Sequence, residues 1–244
     1  MLKKLLIIVL LSVPLLCQTQ VNFYRIKTDF SIKEKRADGS FALQLGTAYY
    51  DLTKKRLLYE MSFPEKQTML TTDSSVHLFK NGLLQGSKKT PGFIQMSIFH
   101  LCLTGDLKSF GLVNTPFKAS KVEKSEDLVI TTWELPKPPK DTLLQTKILT
   151  STKGRQLYGV VFMDGRDQVV SKQFYLNYEY ISGISVPRKI VFIMYVDGKE
   201  QKRIMEFKSV ELNEKGNEKS FAFLAFVLLF FNQKRFSTII PLKQ

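Results

Sequence analysis

The side chains best suited to chemistry in this sequence are its two histidines and one nearby cysteine: His77, His100 and Cys102. An imidazole titrates near neutral pH and can move protons, and imidazole with thiolate can bind zinc. Their spacing supports neither use. His77 sits in the strand-like "SSVHLFKN" and reads as a surface residue. His100 and Cys102 lie two positions apart on a segment of helical period, where i and i+2 do not share a face. A structural zinc site needs four ligands, and no such set can be assembled. Glu60 and Asp73 could in principle serve as acid and base, but nothing in their spacing singles them out and surface solubility explains them better. There is no Gly-x-Ser-x-Gly elbow and no glycine-rich phosphate loop. The expectation is a non-enzyme with no catalytic residue, no metal and no cofactor.

What the chain has instead is strands. In "RLLYEMSFPEKQTMLTTDSSVHLFKNG", residues 56–82, Leu57, Tyr59, Met61 and Phe63 alternate with Leu58, Glu60 and Ser62. That is the period of two of a half-buried strand. Earlier, Tyr24, Ile26, Phe30 and Ile32 fall on one face, "RADGS" makes a turn, and Phe41, Leu43 and Leu45 alternate after it. Later, Leu128, Ile130 and Thr132 alternate with Val129, Thr131 and Trp133 until the prolines of "LPKPPK" break the ladder. Asp164-Gly165 and Asp197-Gly198 are hairpin signals. Phe174, Leu176, Tyr178 and Tyr180 share a face, and residues 190–196 are apolar on both faces, which predicts a strand covered on both sides. Short strands at this spacing imply a meander that curls or closes.

Residues 90–112 differ. Phe93, Ile94, Ile98, Leu101 and Cys102 approach helical spacing, with Gly105 as an interruption. This helical insertion either plugs the sheet as ordinary core or acts as a lid over its hollow face.

The ends carry their own signals. Residues 1–20 have a basic start at Lys3 and Lys4, an apolar run and a polar finish, the build of a secretory signal peptide cleaved near residues 19–21. Cys17 suits bacterial lipidation, although Leu16 stands where a small residue is usual. After cleavage only Cys102 remains, so no intramolecular disulfide can form, and a periplasmic location fits best. Residues 216–244 hold an unbroken apolar run at 221–231, too short for a free-standing membrane helix. It reads as a segment closing the domain of residues 21–215, or as a docking or membrane-contacting tail. The formal charge of +14, or +12 without Lys3 and Lys4, comes from scattered residues with no nucleic-acid motif. A solvated surface is expected, and no nucleic-acid partner.

Residues 46–82 resemble the LolA-like family of periplasmic lipoprotein carriers. The pattern is a Gly strand at Gly46, a basic corner at residues 54–56, and an aromatic strand at residues 57–63 ending in Pro64. Met69, Asp73 and Phe79 then fall on the following strand, turn and strand. "FYLNYEYISGISVPRKIVF" is similar to the family's second half, with Ile181, Gly183, Val186 and Pro187 in place, and the resemblance covers roughly residues 23–212. It implies a mainly β (α+β) fold, a strongly curved antiparallel sheet forming an unclosed half-barrel with a helical lid. It implies a monomeric carrier whose apolar hollow binds acyl chains of lipoproteins, with an inner-membrane release complex and an outer-membrane acceptor as partners. Tyr59, Met61, Phe63, Met69, Phe79, Phe93 and Ile98 are the expected lining. The family's lid-latching Arg-Pro pair is replaced here by Thr53, Lys54, Lys55 and Arg56, so Arg56 is the expected latch. A lipid-sensing regulatory module of the same fold is the alternative. An outer-membrane barrel is disfavoured, because its strands need one apolar and one polar face.

Overall fold

A computed structural model describes residues 23–90, 92–137, 145–196 and 198–222. The expected signal peptide with Cys17, Asp197, Pro138 and Pro139, and residues 223–231 of the apolar run lie outside the described residues. Six strands come first: β1 (Arg25–Lys35), β2 (Phe41–Asp51), β3 (Arg56–Phe63), β4 (Gln67–Thr71), β5 (Ser75–Lys80) and β6 (Leu83–Lys89). A helical segment follows, with α1 (Ile98–Thr104) flanked by the 3-10 turns Phe93–Met96, Asp106–Ser109 and Leu112–Asn114. Seven more strands complete the sheet. They are β7 (Lys118–Ser125), β8 (Leu128–Glu134), β9 (Gln145–Lys153), β10 (Gln156–Asp164), β11 (Val169–Ile181), β12 (Ile184–Val196) and β13 (Lys199–Leu212). The short helix α2 (Glu218–Ala222) comes last.

All strands join one antiparallel sheet in the order β6-β5-β4-β3-β2-β1-β13-β12-β11-β10-β9-β8-β7. Two meanders are thus stitched together where β1 pairs with β13, Ile26 opposite Leu212 and Lys35 opposite Lys202. The edges, β6 and β7, do not meet, so the sheet is an unclosed half-barrel. Register shifts in several pairings, including Thr28/Phe30, Leu45/Gly46 and Phe162/Met163, insert bulges that bend and twist it.

β6 and β7 are consecutive in sequence but occupy opposite edges, so the chain between them must cross the sheet. It crosses on the inner face, and its apolar side chains complete the core. Ser97 caps α1 by accepting from the His100 amide at 3.3 Å, and Gly105 ends it at φ 76, a left-handed conformation that glycine adopts without a Cβ penalty.

Several readings need correction. The β10–β11 turn runs through Asp164–Gln168, with the Gln168 amide donating to the Asp164 carboxylate at 2.9 Å, and Asp167, not Gly165, takes positive φ. The apolar residues of β11 do not keep to one face. Phe174 pairs with Val191 on the outer face, whereas Tyr178 packs into the inner core, because Asn177 between them adopts φ 55. In β12, Ile190 is buried beneath the helical segment and Val191 is buried on the opposite face, but the strand opens toward its end, with Ile193 half-buried and Tyr195 37% exposed.

Gly46 marks the tightest packing in the sheet. A Cβ there would sit 2.3 Å from the Glu60 carbonyl oxygen and 2.9 Å from the Phe30 ring. Gly46→Ala is therefore expected to cost about 3 kcal/mol, read as a lower urea midpoint at unchanged m-value.

Candidate functional site

The hollow of the half-barrel is filled by its own helical segment. Ile94, Ile98, Phe99, Leu101, Phe110 and Leu112 are buried in one cluster with Ile26, Phe30, Tyr50 and Leu57 of the first meander and Ile148, Val160 and Ile190 of the second. Phe99 is the central ring, 5.2 Å from Phe207, 6.3 Å from Tyr50 and 6.5 Å from Tyr59 between centroids. Phe110 stands 5.8 Å from Phe162 and 6.2 Å from Tyr175. Burial of each such side chain contributes about 1.5–3 kcal/mol, so the segment is held mainly by apolar contact.

Polar fastening is sparse. The Tyr50 hydroxyl and His100 Nδ1 are hydrogen-bonded at 2.7 Å, and the Cys102 thiol donates weakly to the Ser185 carbonyl at 3.7 Å. Among the described residues, the segment makes no other side-chain hydrogen bond to the sheet. The environment is dry. Burial pushes the Cys102 thiol up to about 12 and holds the Tyr50, Tyr59 and Tyr178 phenols well above their ordinary range. Burial lowers the pKa of His100; the Lys55 charge acts in the same direction and Asp106 opposes it. No group of His, Cys, Asp and Glu among the described residues could hold a metal ion. The interior suits apolar binding, and its tyrosines and thiol are protonated at neutral pH.

Pairing decides which expected residues meet. Tyr59 and Met61 pack against the core under the helical segment, and Ile98 is buried within it. Met69 is opposite Tyr59 and Leu78 opposite Met69, so an apolar shelf extends beyond the helices to Leu78, which is 36% exposed. Phe93 opens the first 3-10 turn. Phe63 and Phe79 do not belong with these. The shift at Leu45/Gly46 pairs Phe63 with Leu45, out of phase with Met61, and leaves it 47% exposed. Phe79 is opposite Thr68, so it faces outward and is buried in a second cluster with Tyr49, Leu58, Leu70 and Phe221.

Arg56 is also misplaced as a latch. It alternates with Leu57 and so faces away from the helical segment. It lines a small outer crevice with Tyr49, Asp51, Leu58, Leu70, Ser220 and Phe221. The side-chain fastening of the segment comes instead from Tyr50 and His100. Sequence reasoning placed His100 on the insertion but had no signal for its partner fifty positions earlier.

A second ionic feature was not legible either. Arg25 donates to Asp51 at 2.9 Å and to Glu218 at 2.6 Å, and its guanidinium lies 4.5 Å from the centre of the Phe221 ring. Glu218 raises the Arg25 pKa further, and Arg25 in turn holds the Glu218 carboxyl below its usual value. This network clamps α2 onto the outer face of the sheet.

No family model matches the sequence, and no curated protein matches it significantly. Solved structures do match in fold. A LolA superfamily protein from Nitrosomonas europaea has TM-score 0.54 at 11% identity, covering 80% of this chain and 89% of that one. A DUF1329 family protein from Desulfovibrio piger has TM-score 0.55 at 12% identity, covering 84% and 91%. A structure from Vibrio parahaemolyticus, described as an outer membrane lipoprotein-sorting protein domain, has TM-score 0.58 at 12% identity, covering 84% and 92%. The chain has the LolA-like fold.

Two expected outcomes follow from the site. Arg25→Met leaves the Asp51 carboxylate, 2% exposed, buried without its partner, and should cost about 3–5 kcal/mol in denaturant unfolding. The folded pKa of His100 lies below the ordinary 6.5, so its contribution is fully present above pH 6.5 and is lost as pH falls through the folded value. Hydrogen exchange across residues 98–104, corrected for intrinsic rate, should accelerate over that range, and His100→Gln should flatten the dependence.

Proposed function

We propose that this protein is a periplasmic carrier that binds acyl chains of lipoproteins in the hollow of its half-barrel and delivers them toward the outer membrane. An inner-membrane release complex would supply the cargo and an outer-membrane acceptor would take it. The observation that carries this reading is the apolar fastening of the helical segment. An aromatic-rich inner face is covered by a segment held to it by one strong side-chain hydrogen bond, between Tyr50 and His100.

The physics of the exchange supports it. An acyl chain in water costs about 0.8 kcal/mol per CH₂. Moving the segment off the inner face exposes Phe99, Leu101 and their partners at a similar cost per area. Acyl chains entering the opened hollow restore the burial, so loading and closing are near exchange and need no covalent chemistry. The shelf of Met69 and Leu78, which continues the covered Tyr59 and Met61 beyond the helices, gives a chain its first foothold. The LolA-like fold, shared with the lipoprotein-sorting domain from Vibrio parahaemolyticus, points the same way. No helix among the described residues is long and apolar enough to cross a membrane.

Native mass spectrometry of protein purified from a periplasm without detergent tests the proposal. Discrete adducts that dissociate as acyl lipids or lipopeptides are expected. A clean mass that stays unchanged after incubation with a triacylated lipopeptide would sink the carrier reading. Met61→Asp should weaken lipopeptide binding roughly tenfold or more with the far-ultraviolet circular dichroism retained. Tyr50→Phe should speed labelling of Cys102, located by peptide mass spectrometry, because the fastening is lost while the apolar contacts remain.

A further inference from the structure

We propose that the outer face of β1, β2 and β10–β13 is a docking surface for an anionic lipid bilayer. Cross-strand pairing sets its residues in rows. One row runs Phe41, Lys35, Lys202, Ile193, Lys172 and Val161, each opposite the next on neighbouring strands. The adjacent row runs Leu43, Lys33, Ile204, Val191 and Phe174. Lysines are therefore interspersed with large apolar side chains across six strands, three in the first row and one in the second, on the face opposite the helical segment. Phe41 is 78% exposed, and Tyr195, beside Ile193 in β12, is 37% exposed, with the Lys172 ammonium 5.7 Å from the centre of its ring.

Around these rows lysines outnumber carboxylates: Lys33, Lys35, Lys172, Lys189 and Lys202 stand against Glu206 and Glu200, the latter opposite Tyr195. Glu206 serves both Lys33 at 3.6 Å and Lys189 at 3.4 Å. Glu34, the acidic residue between Lys33 and Lys35, turns inward, where it accepts from Gln201 and Arg203. Lys35 and Lys202 face each other across β1 and β13 and form no ion pair among the described residues. Like charges directly opposite each other destabilise a sheet, so this pair favours an anionic surface over water.

The composition of the chain narrows the occupant. Residues 223–244 carry Lys234, Arg235 and Lys243 and no acidic residue, and residues 1–22 carry Lys3 and Lys4 and none. Neither end can neutralise the face, and a second copy would set lysine against lysine. A soluble polyanion would match the charge and leave the exposed Phe41 and Leu43 and the half-buried Ile193 and Ile204 without a partner. An anionic bilayer satisfies both. Its headgroups meet the ammonium groups while lysine stems and apolar side chains lie along the acyl boundary.

Cosedimentation of the full chain with phosphatidylcholine vesicles, with and without phosphatidylglycerol, tests this. Binding should require phosphatidylglycerol. It should weaken about fivefold for each lysine lost in Lys35→Glu with Lys202→Glu, and weaken again in Phe41→Asp. All three positions are exposed, so circular dichroism should be unchanged. Lys88→Glu with Lys89→Glu, on edge strand β6, should bind as the parent does. Equal binding to neutral vesicles, or full binding by the Lys35 and Lys202 variant, would overturn the assignment. So would insensitivity to Phe41→Asp, which marks adsorption by charge alone. Lipopeptide loading of the same variants, read by native mass spectrometry, should be unaffected, so failure here is separable from failure of the carrier reading.

Discussion

The connection between β6 and β7 constrains everything else in this molecule. Consecutive strands stand at opposite edges of a thirteen-stranded sheet, so the polypeptide between them has to traverse a face. A traversing segment with a polar underside would leave the inner residues wet. This one places Ile94, Phe99, Leu101 and Phe110 there and becomes part of the core. The same connection explains why the sheet stays open. A barrel would need β6 and β7 to pair, and the segment lying across the mouth is the reason each edge ends in solvent. β7 is exposed along its whole length, and β6 carries Lys88 and Lys89, the kind of charged edge that resists pairing with another chain.

The division of labour between the two faces follows. Inside, among the described residues, the side-chain hydrogen bonds between the helical segment and the sheet are reduced to Tyr50–His100 and a weak thiol contact, and burial keeps the tyrosines uncharged. Outside, the sheet is fastened by charge. Arg25, Asp51 and Glu218 tie α2 to β1 and β2, and Phe221 fills a small apolar patch of its own. An apolar joint slides or opens at a cost that another apolar guest can offset. An ionic clamp at a buried carboxylate does not, because separating it strands a charge. The parts suited to movement and those suited to permanence are thus set by different forces on opposite sides of one sheet.

Much of this was legible in the sequence, for reasons of range. Period-two alternation located the strands around Tyr59 and Met61, the glycine turns were marked, and the irregular stretch after Thr90 was recognisable as helical because Ile94, Ile98, Leu101 and Cys102 repeat at helical intervals. What failed was anything decided by a bulge or by distant pairing. A single extra residue near Leu45 turned Phe63 outward, and Asn177 moved Tyr178 to the other side of its strand. Alternation alone also cannot say which face is inner, and Phe79 lies in the outer cluster with Tyr49, Leu58 and Leu70. Arg56 was assigned by position in a corner, yet its parity with Leu58 points it away from the helices. Partners such as Arg25 and Glu218, nearly two hundred positions apart, leave no local trace.

The seam between β1 and β13 has a consequence for how the chain reaches this state. β1 pairs with β13, the first described strand with the last, and Tyr24 donates its amide to the Asn213 side chain at 2.8 Å across that join. Closing so long a loop carries a large entropic cost before any contact rewards it. Until β13 arrives, β1 is a bare edge with Ile26, Phe30 and Ile32 on one side and unpaired amides along its length, open to pairing with the wrong strand. The seam at the centre of the finished sheet therefore cannot form before β13 has been made.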